Sequence, residues 1–504
     1  MPDRRFVFEP RELFPRLGWC ARIAHAEPTV RVAHGAWLET SPSAFVEGAW
    51  DGSFLDFDFD RSAAFQGSGG RLRDGQLLFI SPTHPLERLY LVRLADELLI
   101  SNSLSCLLAE SDDGPDFAYP DYFFRLLEHF REGVSAGTVS LPTARSRRVQ
   151  LFAVCDLTVA SDLRVTPREK DPGPEPRDYA DLEGLLRSAV ERTAANAADP
   201  NRKQSYQPIA AVSTGYDSVA SASLAAQVGC KRAFTFATSA SRGDLVDDHG
   251  GKVAAALGLE CETFDRLDVY RLSPERQAEY FMSPACRGDH GLGVVDRLLH
   301  GALLFTGRHG ERVWSRNPTA TVPDFAEPDA TLATGLNPVE HRHRVGWIAF
   351  HVPYLNARHS AALVRITRSD EMRPWSVSDD YDRPIARRLA EEAGVPRKLF
   401  GVRKAGGLGR AGSQLSPDAE RTLEAFLQEH VPGPIQGMLR KRNGRVRRVV
   451  HNLSQSLLLR FGHRPGLCRL FQRIEIDRCH ILWRSRYLYR FHWGLHLAVT
   501  RITG

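Results

Sequence analysis

The segment 213–218, with the sequence Ser-Thr-Gly-Tyr-Asp-Ser, has the residue types of a phosphate-binding loop. It follows the apolar run 209–212 and precedes a segment with helical spacing. A tight turn between a strand and a helix offers backbone N–H groups and the positive end of the helix dipole to an anion. Ser213, Thr214 and Ser218 add hydroxyl donors, while Gly215 permits close backbone approach or a positive φ angle. We therefore expect a phosphate chain to bind at this loop.

Asp217 places a carboxylate inside the same loop. A carboxylate repels a bare phosphate, so we expect Asp217 to hold Mg²⁺ that arrives with a nucleotide. The loop is not a Walker A motif, because no Gly-Lys-Ser/Thr follows the turn. An ordinary strand–turn–helix with a Ser or Asp cap is the alternative interpretation of these six residues.

Strands and helices alternate on both sides of this loop. The hydrophobic spacing predicts helices at 179–195, 219–228 and 247–257 and strands at 233–237 and 260–264. Apolar strands that alternate with helices are typical of a parallel sheet covered on both faces. Ligands of such sheets lie at the carboxyl ends of the strands, where the loop and Thr238 both fall.

The first 110 residues or so are instead rich in predicted strands. Segment 53–59 alternates apolar and polar residues, and short apolar runs predict further strands at 76–80, 89–93, 97–101 and 149–158, the last as a pair. Segment 121–131 has helical spacing. Residues 169–178 are rich in Pro and Asp, which predicts a linker between domains.

Composition narrows the class of protein. The chain has 504 residues, 42% of them hydrophobic and 25% charged, with a net charge of +5, which indicates a folded protein of two to four domains. The basic run 440–448 lacks interleaved aromatic residues, so we expect a solvated helix face and no nucleic-acid partner. Eight scattered cysteines without a Cys-x-x-Cys pair favour reduced thiols and a cytoplasmic location. No run reaches the roughly 18 apolar residues of a membrane span, so no stable membrane insertion is expected.

Segment 213–218 resembles the Ser-Gly-Gly-x-Asp-Ser loop of the N-type ATP pyrophosphatases, with Thr214 in place of the first Gly. The order of segments along the chain resembles the asparagine synthetase family. The similarity is carried by Ile-Ser-Asn-Ser-Leu-Ser-Cys-Leu-Leu-Ala at 100–109, by the acidic pair 247–248, by 352–356 and by 381–404. The resemblance implies an α+β N-terminal domain with a glutaminase-like β-sandwich, followed by an α/β parallel-sheet synthetase domain of the HUP-like, adenine nucleotide α-hydrolase type.

The same resemblance implies domain bounds and a site. The glutaminase-like domain would span 1–168, the linker 169–178, the ATP pyrophosphatase domain 179–425 and a basic helical extension 426–504. ATP and Mg²⁺ would be the cofactors, with Asp217 and either Asp248 or its neighbour Asp247 as metal ligands. Lys404, or alternatively Arg403, would be the catalytic cation of a basic loop. The nucleotide would contact Ser213, Thr214, Gly215, Tyr216, Asp217, Ser218 and Thr238.

Three departures from the family pattern leave two functions open. Pro2 stands where the family has its nucleophilic Cys, Arg308 replaces an acidic residue in the turn 306–312, and Ala349 stands where relatives have a Glu. One expectation is an AMP-forming amide ligase that joins a small-molecule carboxylate to ammonia or an amine and could form a homodimer. The other is an ATP-binding scaffold or regulator with a decayed site. A weaker third idea, tRNA thiolation, needs catalytic cysteines, and Cys261 and Cys286 lie in no supporting motif.

Overall fold

The computed structural model describes most of the chain, namely residues 4–25, 27–120, 122, 125–126, 139–241, 244–280, 290–308, 310–316, 339–377, 381–403, 415–440 and 489–504. Within these residues an N-terminal region of largely antiparallel sheets precedes a parallel sheet, in an α+β arrangement. None of the helices described in these ranges is long and apolar enough to cross a bilayer.

Two sheets form the N-terminal region. Their strands are β1 (Arg5–Pro10), β2 (Trp19–Ala24), β3 (Thr29–His34), β4 (Glu39–Ser41), β5 (Ala44–Ala49), β6 (Gln66–Arg73), β7 (Gln76–Ile80), β8 (Leu89–Arg93), β9 (Glu97–Ser101), β10 (Ser140–Pro142), β11 (Arg148–Phe152), β12 (Cys155–Val159) and β13 (Val165–Glu169). One sheet has the order β1-β3-β2-β9-β8-β11-β10 and the other β13-β12-β7-β6-β5-β4. Neighbouring strands are antiparallel except β1 and β3.

The two sheets pack face to face on a shared aromatic core. Trp19 of the first sheet contacts Phe45 and Phe79 of the second, with ring centroids 5.0 and 6.0 Å apart. Helices Leu104–Glu110 and Tyr489–Thr503 cover the outer face of the first sheet. The chain therefore returns at its C-terminal end to complete the N-terminal region.

Most of the strands predicted here are confirmed, and one is wrong. Strands occur at 76–80, 89–93 and 97–101 as expected, and the predicted pair at 149–158 forms β11 and β12, which lie in different sheets. Segment 53–59 is a turn and the start of a 3₁₀ helix. Phe57 has a left-handed φ of 53°, so Phe54 and Phe59 can both pack against Trp50. The predicted helix 121–131 lies largely outside the described residues.

The second region is centred on a five-stranded sheet in which all strands are parallel. Its strands are β14 (Gln207–Ala211), β15 (Arg232–Phe236), β18 (Glu260–Phe264), β19 (Ala302–Thr306) and β20 (Trp347–His351). The spatial order is β18-β15-β14-β19-β20. A separate hairpin joins β16 (Thr238–Ser241) to β17 (Asp244–Asp247). This sheet agrees with the parallel arrangement that the alternating pattern predicted.

Helices accompany both regions. They are α1 (Leu104–Glu110), α2 (Tyr179–Ala197), α3 (Tyr216–Gln227), α4 (Gly251–Ala256), α5 (Pro274–Tyr280), α6 (Asp296–Leu299), α7 (Gly310–Val313), α8 (Val339–Val345), α9 (Ser360–Thr367), α10 (Pro384–Glu392), α11 (Pro417–His430), α12 (Gly433–Arg440) and α13 (Tyr489–Thr503). Short 3₁₀ helices are Asp58–Arg61, Arg266–Arg271, His290–Val295, Val352–His359, Asp370–Trp375 and Arg397–Leu399. Alternate residues of the parallel strands enter two separate cores, one with α2, α3 and α10 and one with α6, so both sheet faces are covered.

The predicted helix 247–257 is shorter than expected. It is replaced at its start by β17, and α4 covers only Gly251–Ala256. Asp248 bonds back to the loop after β14, and Gly250 packs so closely on the Val212 backbone that a Cβ would come within 3.0 Å. These contacts hold the chain in an extended path before the helix begins.

The predicted linker 169–178 is fixed on the second region. Arg358 donates a hydrogen bond to the Lys170 carbonyl at 2.5 Å, and His359 donates one to the Gly173 carbonyl at 3.1 Å. The prolines of this segment keep it extended, and the Arg358 and His359 side chains provide hydrogen-bond donors to its backbone carbonyls.

Candidate functional site

The order of the parallel strands selects one edge of the sheet as a ligand site. From β14 the chain continues to β15 and β18 on one side of the sheet, and from β19 it continues to β20 on the other side. The strand connections therefore diverge between the neighbouring strands β14 and β19. In open α/β sheets, ligands bind in the crevice outside the carboxyl ends of such a pair. We call this place the crevice. The loop 213–215 after β14 and the turn after Thr306 of β19 border it.

Two glycines bring the turn after β19 against the start of α3. A Cβ on Gly307 would lie within 3.0 Å of the Asp217 backbone, and one on Gly310 would lie equally close to the Asp217 side chain. Any larger residue at either position would push the turn away from the helix. Gly307 and Gly310 therefore let the turn after β19 lie directly against the start of α3.

Hydrogen bonds within the loop fix its hydroxyl groups. The Ser213 and Ser218 hydroxyls lie 2.9 Å apart, and the Gly215 N–H donates to the Ser213 hydroxyl at 3.1 Å. The Ser218 hydroxyl donates to the Gly215 carbonyl at 3.0 Å. Gly215 has φ −79° and ψ 146° as the residue preceding α3, so its role does not require a positive φ.

Asp248 holds the loop from the neighbouring strand connection. One carboxylate oxygen accepts from the Thr214 N–H at 3.1 Å and from the Thr214 hydroxyl at 2.7 Å. The other oxygen accepts from the Ser239 hydroxyl at 2.8 Å. Thr238 begins β16 directly before Ser239, so of the two predicted residues of this connection Asp248 bonds the loop and Thr238 is next to the residue that bonds Asp248.

Asp217 is the second residue of α3 and is buried, with 8% of its surface exposed. A carboxylate in the first turn of a helix is stabilised by the helix dipole. Tyr381 faces the same place. Burial, and the Asp217 charge after it, raise the pKa of the Tyr381 hydroxyl. Tyr381 belongs to segment 381–404, which carries part of the family resemblance, but it was not predicted as a residue of the site.

Tyr216 was predicted to contact the nucleotide, and the structure places its side chain in the hydrophobic core next to the loop. The side chain is fully buried, with its ring 4.9 Å from Tyr381 and 5.7 Å from Phe400, and its hydroxyl bonded to Arg387. A Cβ on Gly401 would lie within 3.0 Å of the same ring. The Tyr216 side chain therefore supports the loop from the protein interior.

The basic loop predicted to carry the catalytic cation approaches the crevice. The Gly401 N–H donates to the Thr214 carbonyl at 2.8 Å, and Arg403 follows two residues later with an exposed side chain. Lys404 lies outside the described residues. Arg403 is thus within reach of the loop, because two residues span at most about 7 Å.

Imidazole groups flank the β19–β20 side of the crevice and were missed by the sequence reasoning. His351, the last residue of β20, has its Nδ1 2.8 Å from the Thr306 hydroxyl. His84 reaches this place from the N-terminal region, with its ring 4.9 Å from His351. The signal for His351 was its position at the end of an apolar strand, whereas nothing in the sequence near His84 indicates this contact.

Glu340, and the position of Ala349 where the family has a Glu, are the two places at which a catalytic carboxylate could be sought near β20. Glu340 is fully buried and accepts hydrogen bonds from the Ser103 and Ser105 hydroxyls at 2.9 and 2.8 Å. Burial raises the pKa of the Glu340 carboxyl. Ala349, at the position of the family's Glu, is buried within β20. Neither position supplies a carboxylate to the crevice.

Glu47, Glu87 and His343 form a buried group with the spacing of a metal site. The Arg342 guanidinium already occupies it, with bonds of 2.7 Å to Glu47 and 2.6 Å to Glu87. Its Nη2 also lies 2.9 Å from His343 Nε2, which must accept because a guanidinium only donates. Burial and the guanidinium charge lower the pKa of His343 well below its usual value. The cation of this group is Arg342, and the group joins the two regions.

Comparison of the chain with protein-family models and with curated proteins finds no match.

Proposed function

We propose that this protein is an ATP-dependent, AMP-forming amide ligase of the asparagine synthetase type, with a glutaminase-like N-terminal domain and a HUP-like synthetase domain. It adenylates a small-molecule carboxylate and transfers the acyl group to ammonia or an amine. The observation that carries the proposal is that the Ser-Thr-Gly-Tyr-Asp-Ser loop coincides with the point where the strand connections diverge. Sequence motif and topology select the same crevice independently.

The donors and acceptors around the crevice fit Mg²⁺-ATP. Hydroxyl and N–H groups of Ser213, Thr214 and Ser218 suit the β- and γ-phosphates. Carboxylate oxygens are hard ligands, so Asp217 and Asp248 suit Mg²⁺. The bound ion would supply charge neutralisation on the phosphates.

The chemistry follows from the weakness of carboxylates as electrophiles. In the first step a carboxylate oxygen attacks the α-phosphorus, the bond to the bridging oxygen of the β-phosphate breaks, and pyrophosphate departs into the loop. In the second step a nitrogen lone pair attacks the acyl carbon and AMP departs. Arg403, with Lys404 beside it in the sequence, would stabilise the charge that develops on the α-phosphate. A guanidinium suits phosphate oxygens because of its planar, forked donors.

The cysteines of the N-terminal region support ammonia or an amine as the nitrogen source. Cys20, Cys106 and Cys155 are all buried. Burial raises the pKa of Cys20 and Cys106 well above the usual thiol value and that of Cys155 to about 12. Thiolates are the reactive form of cysteine, so none of these three is prepared for glutamine hydrolysis. Free ammonia or an amine substrate is the consistent nucleophile.

A second candidate function is an ATP-binding scaffold or regulator without turnover. It is favoured by Arg308, which lies in the turn after β19 where the family resemblance expects an acidic residue. Both functions require nucleotide binding, and only the first requires AMP formation.

Calorimetric titration of Mg²⁺-ATP into wild type and Asp217→Asn tests the site. We expect the variant to lose at least about tenfold in affinity, since it removes one charged ligand. Asp370→Asn is the matched control, because its side chain is 93% exposed on the same region. Equal affinity in wild type and Asp217→Asn would refute the assignment of Asp217.

Carboxylate-dependent exchange of labelled pyrophosphate into ATP then separates the two functions. A panel of amino acids, keto acids and short peptides supplies the carboxylate. Exchange above the carboxylate-free background supports the ligase. ATP binding without exchange for any member of the panel would favour the scaffold.

A further inference from the structure

We propose that His430 and His496 bind a divalent transition-metal ion of the zinc type, and that this ion bridges α11 to the C-terminal helix α13. We call these two residues the imidazole pair. The proposal is independent of the ligase function, because it uses no residue of the crevice.

The packing of α11 against α13 brings the two imidazoles together. Phe426 of α11 shares a hydrophobic core with Tyr489 and Trp493 of α13. His430 is the last residue of α11, and His496 lies in the middle of α13. The centroids of the two imidazole rings are 4.5 Å apart. Each helix therefore contributes one imidazole, and the two rings lie side by side.

The ring nitrogens of the imidazole pair are available to a ligand. No hydrogen bond joins either ring to any atom of the residues that the structure describes. Both residues are half-buried, and none of their ring nitrogens is a buried polar atom without a partner, so these nitrogens reach solvent. Burial, and the His430 charge after it, lower the pKa of the His496 imidazole. Metal ions bind the neutral imidazole, so His496 is in its ligand form at neutral pH.

Two phenylalanine rings restrict the imidazole pair. The ring centroid of Phe117 lies 5.2 Å from that of His430 and 5.7 Å from that of His496. The ring centroid of Phe426 lies 5.1 and 5.6 Å from the same two imidazoles. Side chains that are already held by packing lose less conformational entropy when a ligand binds. The pair is therefore prepared for an ion by contacts that contain no competing polar group.

The separation of the two rings suits a shared ion. Zinc lies about 2.0–2.1 Å from a ligating nitrogen, and so about 3.2 Å from the centroid of that ring. Two imidazoles at a tetrahedral angle on one ion then have centroids about 5.2 Å apart. The observed separation is 4.5 Å, and the rings are inclined by 54° rather than stacked face to face. Small side-chain rotations therefore turn one nitrogen of each ring toward a common point.

Glu429 and water supply the remaining ligands. One carboxylate oxygen of Glu429 lies 3.8 Å from Nε2 of His430, and this side chain is 74% exposed, so it can turn toward the ion. Neighbouring ligand atoms on tetrahedral zinc are about 3.3 Å apart. Two imidazoles, one carboxylate and one water complete a four-coordinate site. Imidazole ligands favour zinc-type ions, whereas Mg²⁺ prefers oxygen ligands, so the pair and the crevice select different metals.

Calorimetric titration of Zn²⁺ into the full chain without a purification tag, in excess Mg²⁺, tests the site. We expect wild type to bind Zn²⁺, and His430→Gln and His496→Gln each to lose at least about tenfold in affinity, since each removes one ligand. His25→Gln is the matched control, because this exposed histidine follows β2 in the N-terminal region. The control should bind Zn²⁺ as wild type does. The two variants are separate tests, so a folding defect in one leaves the other.

Amide hydrogen exchange then tests whether the ion bridges the two helices. Zn²⁺ should slow exchange of the α13 amides by at least about tenfold in wild type and in His25→Gln, and should have no such effect in either variant of the pair. Equal Zn²⁺ affinity in wild type and both variants would overturn the proposal, and so would absence of binding to wild type. Binding that is lost in the variants but leaves α13 exchange unchanged would overturn the bridge.

Discussion

Gly401→Ala tests whether the buried ring of Tyr216 supports the phosphate-type loop. Gly401 has φ +71°, and its N–H bonds the Thr214 carbonyl. A Cβ at this position would come within 3.0 Å of the Tyr216 ring, closer than real Cβ atoms approach. Gly258 provides a matched control, because its φ is +70° and no atom lies within 4 Å of its Cβ position.

The two substitutions share one cost and differ in the other. Placing alanine in the left-handed region costs about 1–2 kcal/mol at either site. The entropy that alanine removes from the unfolded chain is also common to both and cancels. Overpacking against Tyr216 adds about 1–3 kcal/mol at residue 401 alone. We therefore expect Gly401→Ala to destabilise by about 2–5 kcal/mol and Gly258→Ala by about 1–2 kcal/mol.

Amide hydrogen exchange locates the difference. The extra 1–3 kcal/mol, if confined to the loop, raises exchange rates at residues 213–218 by about 5–150-fold, since about 1.4 kcal/mol is tenfold. Gly258→Ala should leave these amides unchanged. The reasoning is refuted if the two variants unfold at the same urea concentration and protect the loop equally.

Three further substitutions test the interface and the loop. Burial raises the folded-state pKa of Glu340, so its contribution to stability is present below the unfolded pKa and lost as pH rises through the folded pKa. The free energy of unfolding of Glu340→Gln should therefore rise relative to that of wild type as the pH increases above about 4.3, by at most about 1.4 kcal/mol per pH unit. If urea unfolding gives the same pH dependence for both proteins, this expectation is contradicted. Asp248→Asn should weaken both bonds from Thr214 and speed loop amide exchange by about tenfold, and unchanged exchange would show that the charge is unimportant. Arg342→Met leaves Glu47 and Glu87 without their cation and should cost about 3–5 kcal/mol in urea unfolding. A loss below about 1 kcal/mol would contradict the assignment of Arg342 as the cation that this group needs.

The sequence predicted what depends on local pattern. Apolar runs alternating with helical spacing were enough for the parallel sheet. The turn after β14 was also found, but α3 begins at Tyr216 and not at the predicted Val219, so residues 216–218 of the predicted loop form the first turn of the helix. Segment 53–59 failed because period-two alternation also fits a chain that turns. With Phe57 in the left-handed region, the aromatic rings of this segment pack against Trp50. Trp50 lies outside segment 53–59, so the pattern within the segment could not indicate this contact.

The contacts that escaped prediction join residues far apart in the chain. His84 meets His351, and Arg342 meets Glu47, across more than two hundred residues each. Such pairs depend on how the two regions of the chain meet, and the local sequence pattern around each member does not indicate the contact. His343 illustrates the consequence. Its neighbours Glu47 and Glu87 suggest a metal site, and only the position of the guanidinium shows that the charge is already balanced.

Only Gly346 separates α8 from β20, so the chain runs directly from the interface to the candidate site. Arg342 and Glu340 fix one end of it to the N-terminal region, and Gly346, with φ +84°, ends it where a Cβ would meet the Trp37 ring. β20 begins at the next residue and ends at His351. Because a strand in register with β19 cannot slide without breaking its whole hydrogen-bond ladder, a displacement at the interface has to be absorbed by α8 or transmitted to His351. The N-terminal region is therefore connected to the crevice in two ways: through α8 and β20, and through His84, which packs directly on the same imidazole.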